Sequence, residues 1–179
     1  MIMRLSKKTA LGLISILMLT ACNNAANQTI AAPAQPQNAS NSFKEATSIF
    51  TVYKSPTCGC CQKWINHLEQ QGLKTVIDHP ADLNSIKKQY QIAQEVRSCH
   101  TTISEEGYVF EGHVPARYIK QFLRNPPADA LGLAVPSMPL GSPGMEVGDE
   151  FMPYKVLLLK KNGTYSTFTE VNTVGQQYE

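Results

Sequence analysis

The sequence predicts an α/β fold: a mixed sheet with flanking helices plus an extra C-terminal β-hairpin. Three observations carry that prediction. Strand-type and helix-type patterns alternate between Ile49 and Ile77. Glu105-Glu106-Gly107 and Asn162-Gly163 each separate two strand-like runs, which marks hairpins. Tyr118, Ile119, Phe122 and Leu123 form an apolar stripe at helical spacing between those hairpins.

The chain divides into three expected parts: a leader over residues 1–21, a flexible tether over 22–43 and a folded domain over 44–174. Arg4, Lys7 and Lys8 precede an apolar run from Ala10 to Leu19, the pattern of a secretory signal peptide. That run is too short to span a membrane as a mature helix. Residues 23–42 are mostly Asn, Ala, Gln, Pro and Ser, with no charge. Such a linker spans roughly 25 Å on average.

Within the domain, Ile49–Tyr53 is β-branched and aromatic and reads as a strand. A Ser55-Pro56 turn follows. From Cys60 to Gln71 the apolar positions Cys61, Trp64, Ile65 and Leu68 recur at helical spacing, and Gly72 sits where a left-handed cap belongs. Leu73–Ile77 is a second strand. A strand–helix–strand of this length implies a parallel pair. Asp82 to Gln91 reads as a second helix with Leu83, Ile86 and Tyr90 on one side. Thr101–Ser104 and Tyr108–Glu111 read as a hairpin. Pro115 suits the first turn of a third helix, which Asn125-Pro126-Pro127 ends. Residues 126–153 read as one long Pro- and Gly-rich loop, of the kind that is functional or mobile. Tyr154–Lys160 and Thr164–Val171 form the last hairpin around Asn162-Gly163.

The chemistry concentrates in Thr57-Cys58-Gly59-Cys60-Cys61, three thiols within four residues at a helix start. Backbone N–H groups and the helix dipole favour thiolate there. Cys58 and Cys61 form a Cys-x-x-Cys pair, with Cys60 between them. Cys99 is a distant fourth thiol. Adjacent cysteines pair only with strain, so at most one bridge joins the cluster to Cys99. The element order βαβ, extra helix, ββα is the order of the thioredoxin fold, with Cys-x-x-Cys at that fold's redox position. In that order the third strand runs antiparallel to the first. Cys99-His100 then lie beside the end of the first strand, and the fourth strand returns His113 to the same edge. The expectation is that four sulfurs and up to two imidazoles converge.

Two resemblances follow. Leu19-Thr20-Ala21-Cys22 resembles the lipobox of bacterial lipoproteins. That implies a lipid on Cys22, attachment to a membrane facing the periplasm and, from Asn23, the outer membrane; an ordinary cleaved signal peptide is the alternative. Cys58-Gly59-Cys60-Cys61, Ser98-Cys99-His100-Thr101, Glu111-Gly112-His113-Val114-Pro115-Ala116 and Gly141-Ser142-Pro143-Gly144-Met145-Glu146 resemble the blocks of the CopG-type family. This is a domain-of-unknown-function family of periplasmic proteins associated with copper resistance. The resemblance runs from about Thr51 to about Lys160. It implies a thioredoxin-like fold and copper binding through cysteines, with copper or thiol redox activity as a further expectation. Periplasmic copper-handling proteins are the expected partners.

The expected metal ligands are Cys58, Cys60, Cys61, Cys99, His100 and His113, the two histidines having strand or helix capping as their alternative role. Met138 and Met145 are soft sulfurs that could add to the site, with pinning the loop onto the core as the stronger alternative. Soft thiolates select Cu(I), and thiolates that bridge several ions relieve the strain of drawing three ligands from four residues. One tetrahedral Zn(II) is the alternative metal. The alternative function is a thiol–disulfide oxidoreductase with Cys58 attacking and Cys61 resolving. A third reading is a lipid-anchored structural domain with one Cys58–Cys61 or Cys61–Cys99 bridge. His67 lies off the apolar stripe and is expected to face solvent, and His79 is expected to be structural. Met152 has only its sulfur to recommend it. Trp64 is expected in the core, and Glu105 and Glu106 in a solvated turn. The leader holds three of the 16 basic side chains and none of the 14 acidic ones, so the remainder is near neutral. A near-neutral chain without a basic block is a poor nucleic-acid binder.

Overall fold

The computed structural model describes residues 48–178. The leader, the tether and Cys22 lie outside the described residues. The elements are β1 (Ile49–Lys54), α1 (Gly59–Gln70), β2 (Lys74–Asp78), α2 (Leu83–Gln89), a 3₁₀ turn (Gln94–Val96), β3 (His100–Ser104), β4 (Val109–Gly112), α3 (Ala116–Arg124), β5 (Ala130–Val135), β6 (Tyr154–Lys160), β7 (Tyr165–Val171) and a closing 3₁₀ turn (Gly175–Gln177). Among the described residues no helix is long and apolar enough to cross a membrane.

All strands join one seven-stranded mixed sheet in the order β2-β1-β3-β4-β5-β6-β7. β1 and β2 pair in parallel around α1. β3 runs antiparallel to β1, with His100 opposite Lys54 and Thr101 opposite Tyr53. That register sets the residue before His100 beside the chain leaving β1, which leads into the Cys58 turn.

β1 alternates strictly, with Phe50 and Val52 fully buried on one face. They meet Trp64, Ile65 and Leu68 of α1 and Ile119 and Phe122 of α3 in the larger core. The opposite face holds a smaller core of Ile92, Val96, Ile103, Val109, Ala134 and Leu159. The period-2 and period-3.6 stripes of the sequence therefore build layers on both sides of one sheet.

Two expectations are corrected. The stretch 126–153 is not one loop: Ala130–Val135 is strand β5, parallel to β4 and antiparallel to β6. Both its faces are covered, so Ala-Leu-Gly-Leu-Ala-Val shows no alternation, and alanine and glycine mask its strand character. β5 makes the terminal hairpin continuous with the rest of the sheet. His67 does not face solvent. It is 8% exposed, and its Nε2 accepts the Ala116 backbone N–H at 3.1 Å. Burial holds its imidazole below the ordinary histidine range. The side chain caps α3 from α1, a role that spacing on its own helix does not reveal.

Helix ends follow local chemistry. Asp82 caps α2 by accepting Asn84 N–H at 2.8 Å. His79 Nδ1 pairs with the Lys54 carbonyl at 2.9 Å, as its structural reading expects. Trp64 is fully buried, and its indole N–H donates to the Val114 carbonyl at 2.9 Å. Glu105 and Glu106 are exposed in the β3–β4 turn.

Candidate metal centre

Cys58 is the N-cap of α1, and its sulfur accepts the Cys61 backbone N–H at 3.3 Å. Cys58 and Cys61 are joined by a disulfide, while Cys60 and Cys99 are free. Cys60 Sγ lies 3.5 Å from Cys58 Sγ and points at the Met138 thioether, 3.9 Å away. The sulfurs of Cys58, Cys60, Cys61 and Cys99 all lie within 4.8 Å of one another. Cys61, Cys99, His100 and His113 form a second, overlapping set within the same limit.

Cys99 joins the two sets. Its Sγ lies 3.2 Å from His100 Nδ1 and 3.1 Å from His113 Nε2. His113 Nδ1 lies 2.7 Å from the Pro143 carbonyl, an acceptor only, so Nδ1 carries the proton and donates it. Nε2 is then the unprotonated nitrogen, and its lone pair faces the Cys99 sulfur. Pro143 thus fixes the tautomer in the way that partners of metal-binding histidines do. His100 is fully buried, packs against Trp64 in a tilted arrangement at 4.3 Å between centroids, and leaves Nε2 without a partner.

Electrostatics keep these groups neutral. Burial, and after it the neighbouring His113, Lys87 and Lys54, hold His100 well below the ordinary imidazole range. Burial lowers His113 too, against the raising pull of the Pro143 carbonyl. Burial first, and the nearby Cys60 second, push the Cys99 thiol up to about 12. Neutral imidazoles and displaceable thiol protons are what a metal cation requires of its ligands.

The loop after β5 closes the site from above. Met138, Pro143 and Gly144 all approach the cluster from it. Gly144 sits at φ +89°, and a Cβ there would lie 2.7 Å from the Cys60 carbonyl and 2.8 Å from Trp64 N. Only glycine lets this loop rest directly on the start of α1. Both Glu146 carboxylate oxygens accept the Gly144 N–H at 2.9 Å. Met145 is half-buried in the same turn, where its carbonyl accepts the Gly141 N–H at 3.0 Å. Met152 is exposed. Gly144→Ala is expected to lower stability by ~1–3 kcal/mol, the usual range for overpacking and strained backbone. Urea denaturation measures it, and an unchanged midpoint would refute the close packing of this loop.

Sequence reasoning missed several residues around the site. Lys87 and Glu111 form a fully buried ion pair at 2.5 Å. A signal exists for the cation alone: Lys87 falls on the inward stripe of α2, four after Leu83 and three before Tyr90, whereas β4 is buried throughout and gives Glu111 no alternation to read. Glu146 and the Pro143 carbonyl left no such trace.

No curated protein matches the chain. The model of a family described as "Protein of unknown function, DUF411" matches residues 96–145, which include Cys99, His100, His113 and Met138. Two solved structures are similar over nearly their whole length. One, described as copper resistance protein CopG form 1, is 40% identical, with TM-score 0.65, covering 69% of this chain and 96% of that one. The other, form 2, is 42% identical, with TM-score 0.64, covering 69% of this chain and 98% of that one. On this identity over nearly the whole of both relatives, the chain belongs to the CopG-type family of copper resistance proteins.

Proposed function

We propose that this protein binds copper as Cu(I) through Cys58, Cys60, Cys61 and Cys99, and serves copper tolerance by sequestration, transfer or redox conversion. The observation that carries this reading is the gathering of four cysteine sulfurs within 4.8 Å. His113 Nε2 and His100 stand beside Cys99, and the Met138 thioether stands beside Cys60. Sulfur donors select Cu(I), and the thioether adds softness. Copper here is cargo. The names of the two solved relatives support the same reading.

The Cys58–Cys61 disulfide holds two of the four sulfurs. Full loading therefore needs a dithiol reductant. It breaks the S–S bond with two electrons, each protein sulfur gains a proton, and the donor leaves as a disulfide. That same bridge favours a second reading, thiol–disulfide exchange at Cys58 and Cys61, to which the thioredoxin-like order of elements also lends support. The third and fourth thiols weigh against it, because they offer competing disulfides.

The leader and the Cys22 motif support anchoring by a lipid at the envelope, with the domain facing the periplasm and partners among copper-handling proteins there. Anaerobic Cu(I) titration with thiol counting tests the main reading. Several equivalents bound by reduced protein are expected. No uptake, together with fast reduction of a small disulfide substrate, would favour the second reading.

A pH dependence follows from Cys99. Its thiol is pushed up to about 12, so near neutrality the metal-free sulfur is protonated and copper must displace that proton. Affinity is expected to rise with pH, by about tenfold per unit for this one proton across the neutral range. Competition against a chelator at several pH values measures the slope, and a flat profile would contradict it.

A further inference from the structure

We propose that Glu111 is a positioning residue that sets Cys99 in the metal site by holding the backbone in front of it. Glu111 is fully buried on β4. Its Oε1 accepts the Ser98 backbone N–H at 2.6 Å, and its Oε2 accepts the Thr101 hydroxyl at 2.7 Å. Ser98 and Thr101 are the residues on either side of Cys99-His100. One carboxylate therefore grips both ends of the pair that meets the cluster. Lys87 Nζ, from α2, closes the arrangement with bonds to Glu111 Oε1 at 2.5 Å and Thr101 Oγ1 at 3.0 Å.

The geometry gives this grip a direction. Thr101 and His100 are successive strand residues and point to opposite faces. Thr101 reaches Lys87 on α2, and His100 reaches Trp64 on α1. The polar network thus lies across the sheet from the imidazole. None of its hydrogen bonds goes to a sulfur; they reach Cys99 through the Ser98 peptide, and the carboxylate charge adds a small upward push on the Cys99 thiol. Gly112, at φ +72°, permits the approach: a Cβ there would lie 2.5 Å from Ser98 Cβ. Ser98 Oγ also donates to the Ser137 carbonyl, next to Met138. The Ser98 segment is therefore tied on one side to the carboxylate and on the other to the loop carrying the thioether. A buried, desolvated carboxylate is an expensive choice for structure alone. Here its acceptor oxygens are spent on the one segment that must place a sulfur.

The inference rests on the copper reading above, but its test has a metal-free arm. Two charge-free double variants are compared: Lys87→Met/Glu111→Gln, which keeps an acceptor for Ser98 N–H, and Lys87→Met/Glu111→Leu, which does not. Disulfide-form protein is treated with a short bifunctional thiol reagent that joins Cys60 to Cys99. Reduced protein is titrated with Cu(I). The Gln form is expected to crosslink and bind like the natural protein. The Leu form is expected to lose the crosslink and to bind Cu(I) about 10-fold more weakly or worse, the usual penalty for removing an outer partner. Val156→Ala, on the core-facing side of β6, is the control for lowered stability and should retain both readouts.

Equal behaviour of the Gln and Leu forms, or an equal loss in Val156→Ala, would overturn the proposal. Should the Leu form not fold, Glu111→Asp takes its place with the same expected loss, since it keeps the charge for Lys87 but draws back from Ser98. If the natural protein takes up no Cu(I) while the crosslinks still differ, the copper reading fails and the positioning role stands.

Discussion

Replacing Cys99 by serine is expected to weaken Cu(I) binding by reduced protein more than ~100-fold, beyond the range seen when outer partners of a metal site are removed. The reason is positional. Cys58, Cys60 and Cys61 come from one helix start, and among the described cysteines Cys99 alone reaches them from another part of the chain. It is also the sulfur against which both imidazoles rest. A serine hydroxyl is a hard donor that holds Cu(I) poorly. Chelator competition measures the change. Fold should persist, because Cys99 is only half-buried. The result also separates the two functional readings: a plain oxidoreductase at Cys58 and Cys61 would keep its disulfide exchange in Cys99→Ser.

The largest effect on stability is expected from Lys87→Met alone. It leaves the Glu111 carboxylate fully buried without its cation. Burial already pushes that carboxyl up, with the Lys87 ammonium and the Ser98 and Thr101 donors pulling it back down. Removing one partner of a buried pair costs about 3–5 kcal/mol. For a domain of this size the melting midpoint should drop by more than ~10 °C. Lys87→Met/Glu111→Gln removes both charges, keeps an acceptor for the Ser98 N–H and should recover most of the loss, since replacing a whole buried pair with neutral side chains is often near neutral. Urea denaturation of the single and double variants measures both. A single variant as stable as the natural chain would show that the pair carries no such burden.

The parts of the fold legible in the sequence were those with a clean period or a strong turn. The β1–α1–β2 unit followed from the stripe Cys61, Trp64, Ile65, Leu68 and the cap at Gly72, which sits at φ +82°. The last hairpin followed from Asn162-Gly163. Placement of Cys99 followed from strand order, because an antiparallel β3 must begin where β1 ends. β5 was not legible, since a strand covered on both faces has no alternation to read. His67 was misread because its partner is the backbone of another helix, Ala116, and no pattern on α1 encodes that bond. The carboxylate behind Cys99 was missed for a related reason: a buried charge in sequence looks like an exposed one until its partner is found.

Copper K-edge X-ray absorption on the reduced, Cu(I)-loaded protein tests the central claim most directly. A first shell dominated by sulfur is expected, with copper–copper scattering from bridging thiolates and a loss of sulfur in Cys99→Ser. A shell dominated by nitrogen or oxygen, or one that Cys99→Ser leaves unchanged, would contradict it.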